Sequence, residues 1–369
     1  MLTRLDAEPL YHASRGSKEL FHSDILAWFV RTMPQCAVEV FGPWLVESDG
    51  RSEVRVRREH LNLDLVIELP GFAPLVIENK AFALPDEAQL AAYARGPVAR
   101  LGAAAPSLVL LSLQDPGWGT GSAELGGRSW RWVSYGELGT RLDAALAEAD
   151  QAFDQQVARH EAEFLQLLHR IMTRLTIRDD SEPFALSGSL LNELRRAGLA
   201  DAVGKARAHQ VMRRIHAALL RRGVRAPARE LEVGFTRGRP LLSGFWEAAA
   251  GVWVGWQYQD RQWRLAMILS SPDLFGRGKH PARAEFALAH HDFFDFTRVP
   301  EIVGVPESAL LPRSSRARAG EFNKYDPDFL YRYRVLPERV TVGEIVDLAV
   351  ECSSRAADWF PSPVRDGTV

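Results

Sequence analysis

The sequence has very little cysteine. Cys36 and Cys352 are its only two cysteines, which excludes a disulfide framework and a zinc site built from thiolates. The first 20 residues lack the apolar core of a signal peptide, and no run reaches the roughly 18 apolar residues of a membrane span. These absences predict a soluble protein of the cytoplasm with no membrane partner.

The sequence also lacks an excess of positive charge. Lys and Arg total 45 and Asp and Glu total 47, which gives a net charge of −2. A polyanionic partner such as nucleic acid would have to be held by a local basic patch, because the whole molecule offers no attractive field. Only five of the 45 basic residues are lysines and the other 40 are arginines, so a lysine that persists in this background suggests a specific role.

What is present is an ordinary globular composition. Hydrophobic residues make up 46% and charged residues 25% of the chain, which excludes global disorder and the fibrous classes. A length of 369 residues corresponds to two domains at roughly 100–200 residues each. We expect an α/β domain over residues 1–150, a long helix and linker over residues 151–189, and an α+β domain over residues 190–369.

In the first half, the hydrophobic period changes from helical to strand-like and back. We expect Pro34 to stop the first helix and Pro43 to kink the second. The predicted helices are Lys18–Met33, Cys36–Val46, Glu87–Arg95, Tyr135–Ala149 and Phe153–Leu175. The predicted strands are Glu53–His60, Asn62–Glu68, Pro74–Lys80, Ser107–Leu113 and Ser129–Ser134. This order predicts an α/β sandwich.

The second half begins with helices and becomes rich in strands. Helices are predicted at Leu190–Ala197, Gly204–Arg222 and Val342–Trp359, and a hairpin of Val252–Tyr258 with Trp263–Leu269 lies between them. The tryptophans of this region could stack on bases. Aromatic residues on alternating strands are more often core, and we predict a core role for Trp246, Trp253, Trp256 and Trp263.

The most informative segment covers two of the predicted strands. Asp64 lies within the first strand, and Glu78 and Lys80 are two residues apart at the end of the second. Because alternate side chains of a strand leave the same face, Glu78 and Lys80 share one face and Asn79 turns to the other. If the two strands pair, Asp64 lies beside Glu78. Two adjacent carboxylates repel each other unless a cation lies between them, and their hard oxygens suit Mg²⁺ or Mn²⁺.

This triad alone could be a surface ion pair on an edge strand, which would contribute little to stability. Flanking polar residues favour a site instead. The helix after the second strand places Gln89 and Tyr93 on one face at i, i+4. The first helix places Glu19, His22 and Ser23 together on a face that is otherwise apolar. Such a polar stripe needs a partner, and the strand carboxylates are candidates for it.

Four short motifs together carry a resemblance to a known superfamily. They are Glu19-Leu-Phe-His22-Ser23, Leu63-Asp64, Ile77-Glu78-Asn79-Lys80 and Gln89-Leu-Ala-Ala-Tyr93. In this order they resemble the PD-(D/E)XK nuclease superfamily, and more narrowly its often defence-associated branch with a Glu-x-x-His-Ser first helix. The resemblance covers about residues 17–145. It implies a restriction-endonuclease-like α/β/α core with a mixed sheet.

The resemblance also implies roles for individual residues. Asp64 and Glu78 would be metal ligands, with the backbone carbonyl of Asn79 as a further ligand, and Lys80 would orient the attacking water. Glu19 would be an accessory acid and Gln89 an amide that supports the site. Leu63 stands where the named motif has proline.

A basic segment in the second half is a candidate nucleic-acid interface. Residues 195–239 hold twelve basic and three acidic residues, a net charge of +9 in a chain of −2. Arg213, Arg214, Arg221 and Arg222 on its helix could lie along phosphates. The alternative is a solvated helix face in an arginine-rich protein.

These features predict a Mg²⁺- or Mn²⁺-dependent endonuclease that acts on nucleic acid, with DNA as the expected substrate, in prokaryotic antiviral defence. The resemblance to the superfamily also implies a homodimer, by analogy, because a single active site of this type nicks only one strand. The main alternative is a nucleic-acid-binding or assembly protein on a nuclease scaffold that no longer cuts. A sensor whose second domain binds a small ligand and gates a nuclease is a third possibility.

Overall fold

The computed structural model describes residues 3, 10–11, 18–49, 53–101, 106–147, 152–224, 231–236, 239–271, 275, 280–294, 296, 322–324 and 328–359. The chain divides into two compact units. The first comprises Met1–Thr176 with Leu191–Val203, and the second comprises Ile177–Leu190 with Gly204–Val369. The first unit therefore includes the long helix that follows the predicted α/β domain.

The first unit is built on a six-stranded mixed sheet of order β1-β2-β3-β4-β6-β5. The pairs β1–β2, β2–β3 and β5–β6 are antiparallel, and the pairs β3–β4 and β4–β6 are parallel. The strands are β1 (Arg55–His60), β2 (Leu63–Glu68), β3 (Leu75–Lys80), β4 (Ser107–Ser112), β5 (Ser122–Leu125) and β6 (Arg128–Ser134). The prediction omitted β5 because its four residues, SAEL, carry only one large apolar side chain.

The helices of the first unit are α1 (Lys18–Thr32), α2 (Pro34–Phe41), α3 (Glu87–Arg95), α4 (Tyr135–Ala145) and α5 (Phe153–Leu175). The unit also includes parts of two later helices, within Leu191–Val203. Pro34 does not merely stop α1. It occupies the first turn of α2, where its missing N–H has no hydrogen bond to lose. The helix predicted over Cys36–Val46 ends at Phe41, and Pro43 lies in a short 3₁₀ turn.

Helices cover both faces of this sheet. Leu90 and Ala94 of α3 pack with Val66 of β2 and Val76 of β3 on one face. Ser23 of α1 contacts the buried Asn79 side chain of β3, which points to the opposite face. The first unit is therefore a layered α/β structure, which confirms the predicted α/β class.

A tight turn sets where β2 begins. Leu61 and Asn62 join β1 to β2 with φ values of 58° and 66°, the left-handed conformation of a two-residue hairpin turn. Asn tolerates this conformation better than most residues do. The turn pairs His60 with Leu63, and this register makes Asp64 the second residue of β2.

The second unit contains an antiparallel sheet of order β11-β12-β10-β9-β8-β7. Its strands are β7 (Glu232–Thr236), β8 (Arg239–Ala249), β9 (Val252–Gln259), β10 (Gln262–Leu269), β11 (Asn323–Lys324) and β12 (Phe329–Val335). Helices α6 (Gly188–Arg196) and α7 (Ala200–Arg221) begin the region, and α8 (His280–Ala289) and α9 (Val342–Trp359) follow later. The predicted α+β character of this region is confirmed.

The core of the second unit contains three of the four tryptophans. Trp246, Trp256 and Trp263 are fully buried, and Trp256 stacks on Trp263 with ring centroids 4.9 Å apart. Trp253 is only half-buried. Three tryptophans thus confirm the predicted core role. Among the described helices, none is long and apolar enough to cross a membrane.

Candidate metal and catalytic site

Asp64, Glu78 and Lys80 meet on one face of the first sheet, near the start of β2 and the end of β3. The antiparallel register pairs Val66 with Val76 and Leu65 with Ile77, and its continuation by one residue places Asp64 opposite Glu78. Glu78 and Lys80 leave the same face of β3 because they are two residues apart. The juxtaposition predicted for these three side chains is therefore present.

Two short contacts define the arrangement. Lys80 Nζ lies 2.9 Å from Glu78 Oε1, and the Asn79 backbone N–H donates to Asp64 Oδ2 at 2.8 Å. Glu78 is 1% exposed and the Lys80 side chain 12% exposed. The pair is thus not the solvated surface ion pair that the sequence left open, since burial removes most of the water that would screen it.

The environment of Glu78 disfavours its charged form. Burial, and then the nearby Asp64 carboxylate, raises the pKa of Glu78 from 4.5 to about 7, although Lys80 acts in the opposite direction. Glu78 Oε2 is buried and has no hydrogen-bond donor among the described residues. A buried carboxylate oxygen without a donor, beside a second carboxylate, fits the donor set of a hard divalent cation.

The Asn79 carbonyl points toward β2, which carries Asp64. The N–H and C=O groups of one strand residue point to the same side, and the Asn79 N–H points toward Asp64 of β2. The Lys80 carbonyl accepts from Leu113 beyond β4, as alternation requires. The Asn79 carbonyl is therefore directed toward the carboxylates, which is compatible with the third ligand that the resemblance implied. No cluster of three or more His, Cys, Asp or Glu side chains suited to a metal occurs within the described part of the chain.

The Gln89–Tyr93 pair of α3 borders the carboxylates. Gln89 Nε2 donates to the Tyr93 hydroxyl at 2.6 Å. The pKa of Tyr93 is raised, first by burial and then by the negative charge of Glu78. Gln89 thus holds a phenol close to the charged cluster.

The polar face of α1 has different partners from those expected. His22 Nδ1 lies 2.8 Å from Glu161 Oε1 of α5, and Ser23 Oγ accepts from Asn79 Nδ2 at 3.1 Å. These contacts are not with the strand carboxylates, which were the candidate partners, because α1 lies on the face of the sheet opposite those carboxylates. Glu19 belongs to α1, and its side chain lies outside the described residues.

Sequence reasoning missed Tyr135 and Glu161. The Tyr135 hydroxyl donates to Asn79 Oδ1 at 2.6 Å, and nothing in the sequence signals this contact. Glu161 is 1% exposed in the buried stripe of α5 that includes Ala158 and Leu165. An acidic residue within such a stripe was the available signal that a buried partner exists.

Arg214 has a local structural role. Its Nε lies 2.9 Å from Asp180 Oδ1, and its Nη2 donates to the carbonyls of Ile177 and Arg178. These contacts tie α7 to the segment that follows α5. Arg214 is therefore less available to phosphates than the charge pattern suggested.

The remaining arginines of the predicted interface differ in exposure. Arg213 is half-buried, whereas Arg221 and Arg222 are exposed at the end of α7. Arg222 Nη1 lies 3.7 Å from Glu351 Oε2. Arg221 is consequently the member of the set best placed to meet solvent-borne phosphate.

The chain matches no protein-family model, no curated protein and no solved structure at a significant level.

Proposed function

We propose that the protein is a Mg²⁺- or Mn²⁺-dependent nuclease with a restriction-endonuclease-like first unit. The observation that carries this proposal is that Asp64, Glu78 and Lys80 lie together on one face of a mixed sheet. Glu78 Oε2 is buried there without a donor from the described residues. Paired carboxylates with an adjacent ammonium are a donor set suited to phosphodiester hydrolysis.

Asp64 and Glu78 would hold the cation, with the Asn79 carbonyl as the third protein ligand. A divalent cation in such a site polarises a phosphoryl oxygen and lowers the pKa of a bound water. The Asn79 N–H restrains Asp64 Oδ2 at 2.8 Å, so this carboxylate is already oriented.

Lys80 would supply positive charge at the reacting phosphate. Its Nζ donates to Glu78 Oε1 and lies on the same face as both carboxylates. A fixed ammonium there stabilises the negative charge that develops on the phosphoryl oxygens, and it can orient the attacking water by donating a hydrogen bond. Because the side chain is 12% exposed, little water competes for this charge.

The substrate we propose is nucleic acid, with DNA the favoured class, acted on by a homodimer in prokaryotic defence. Arg221 at the exposed end of α7 supports a contact with phosphates. The dimer is proposed because each chain offers one cluster of this kind within its described residues, and each such cluster cuts one strand.

Cleavage assays test the proposal. The full-length protein is incubated with supercoiled plasmid, linear duplex, single-stranded DNA and RNA, each with Mn²⁺, Mg²⁺ or EDTA. We expect cleavage that requires a metal and is lost in Asp64→Ala and Lys80→Ala. Lys324→Ala removes an exposed lysine of β11 and is the matched control that should cut normally. Cleavage that survives in both site variants would refute the assignment.

A further inference from the structure

A buried hydrogen-bonded chain lies behind the proposed site. Asn79 is 1% exposed on the face of β3 opposite Glu78 and Lys80. Its Nδ2 donates to Ser23 Oγ at 3.1 Å and its Oδ1 accepts from the Tyr135 hydroxyl at 2.6 Å. A buried amide without partners would be costly, so these two hydroxyls fix where the Asn79 side chain lies.

The backbone of Asn79 contacts the proposed site, whereas its side chain points away from that site. The β2–β3 ladder ends at the pair Leu65 and Ile77, and the Asn79 N–H beyond that point donates to Asp64 Oδ2 instead of a backbone carbonyl. The Asn79 N–H is therefore one of the contacts that orient Asp64, and it lies in a part of β3 that pairs with β4 but has passed the end of the β2–β3 ladder.

The hydroxyls that hold Asn79 are themselves held by a second buried pair. His22 precedes Ser23 on α1, and its Nδ1 lies 2.8 Å from Glu161 Oε1 of α5. The His22 ring also packs against Tyr135 at a centroid distance of 5.2 Å and stacks on Phe164 at 5.5 Å. His22 is thus a common support for α1, which carries Ser23, and for Tyr135 at the start of α4.

We propose that Tyr135 and Ser23 are positioning residues that orient the candidate metal ligand Asp64 through the Asn79 peptide. This inference rests on the proposed metal-dependent function. Both hydroxyls bond to the Asn79 side chain on the face of β3 opposite Glu78 and Lys80, so Asn79 is the route by which we expect them to affect the metal. Partners of metal ligands typically change metal affinity by about 10–100-fold when they are removed.

The test is a double-mutant cycle on Mn²⁺ affinity, measured by calorimetry on the full chain. Tyr135→Phe removes the hydroxyl and keeps the ring that packs on His22. We expect the Mn²⁺ dissociation constant to be roughly tenfold larger for Tyr135→Phe and for Asn79→Ala than for the wild type. The double variant should bind Mn²⁺ with the same affinity as Asn79→Ala alone, because both changes act through one residue. Tyr258→Phe, a buried tyrosine of the second unit, is the control and should not change the affinity.

The outcomes separate the inference from the proposed function. Unchanged Mn²⁺ affinity in Tyr135→Phe, with normal binding in the wild type, would overturn the positioning role and leave the metal site standing. Additive losses in the double variant would also overturn it. Absence of Mn²⁺ binding in the wild type would overturn the proposed function together with this inference. Amide exchange at Asn79 is an independent readout without metal: faster exchange in Tyr135→Phe supports the coupling, and unchanged exchange contradicts it.

Discussion

Replacement of Glu78 by Gln should stabilise the metal-free protein above neutral pH. The folded protein raises the pKa of this carboxyl from 4.5 to about 7, so folding favours its protonated form. The resulting cost to stability is absent below about pH 4.5, grows as the pH rises, and is complete above about pH 7. A shift of this size corresponds to about 3 kcal/mol at about 1.4 kcal/mol per pKa unit.

Gln carries no charge at any of these pH values and is nearly the same shape as Glu. We therefore expect Glu78→Gln to exceed the wild type in free energy of unfolding by up to about 3 kcal/mol at about pH 8 in EDTA. The two proteins should be close to equal near pH 4.5. This figure already includes the favourable contact of the Glu78 carboxylate with Lys80 Nζ, 2.9 Å away, because that contact lowers the pKa of Glu78 and so offsets part of the rise.

Urea unfolding of the full chain at several pH values measures this difference. Glu68→Gln is the matched control, because Glu68 is 2% exposed in β2 and its Oε1 lies 2.9 Å from Arg57. Loss of the buried Glu68 charge, which pairs with Arg57, should destabilise the protein. If the free energies of unfolding of the wild type and Glu78→Gln differ by the same amount at all pH values, the argument that Glu78 is held in an unfavourable charged state is refuted.

Four other outcomes are expected. The rise in Tm caused by Mn²⁺ should be larger at about pH 8 than at about pH 6 in scanning fluorimetry, because protons compete with the cation for Glu78 below its pKa of about 7. Gly136→Ala should lower the free energy of unfolding by about 1–3 kcal/mol, measured in urea, because the new Cβ would lie 2.4 Å from the His169 ring. Arg221→Ala should weaken DNA binding and reduce its salt slope by about one, whereas Arg214→Ala should lower Tm, as measured by calorimetry.

Each of these outcomes has a control variant or a contrary result. Gly188→Ala places a Cβ where no atom lies within 4 Å, and it should leave the unfolding free energy nearly unchanged. Equal destabilisation by the two glycine variants would contradict the role of the close approach of α4 and α5, because helix propensity alone favours Ala over Gly at both positions. A Mn²⁺ response of equal size at both pH values would separate Glu78 from metal binding. An unchanged salt slope for Arg221→Ala would remove that residue from the interface.

Local sequence signals predicted much of the secondary structure. Helix α3 occupies Glu87–Arg95 as predicted because Asp86 caps it by accepting from the Gln89 backbone N–H. The hairpin of β9 and β10 turns at Asp260 and Arg261, as the polar interruption between apolar strands indicated. Such features depend on neighbouring residues, so they can be read from the chain.

The chemistry of the site was predictable only in part. The alternation along β3 was enough to place Glu78 and Lys80 on one face and Asn79 on the other. The partners of the opposite face were not predictable. Glu161 is 139 positions from His22, and no periodicity indicates which buried residue of α5 meets α1. Those pairings follow from the packing of helices on the sheet, which depends on the whole unit.

The most direct test of the central claim is anomalous diffraction from a crystal soaked in Mn²⁺. A cation held by the proposed ligands predicts an anomalous peak about 2.0–2.5 Å from carboxylate oxygens of both Asp64 and Glu78. The Asp64→Asn protein, soaked in the same way, should show a weaker peak or none. A crystal with free access to the site that shows no peak between these carboxylates would contradict the account.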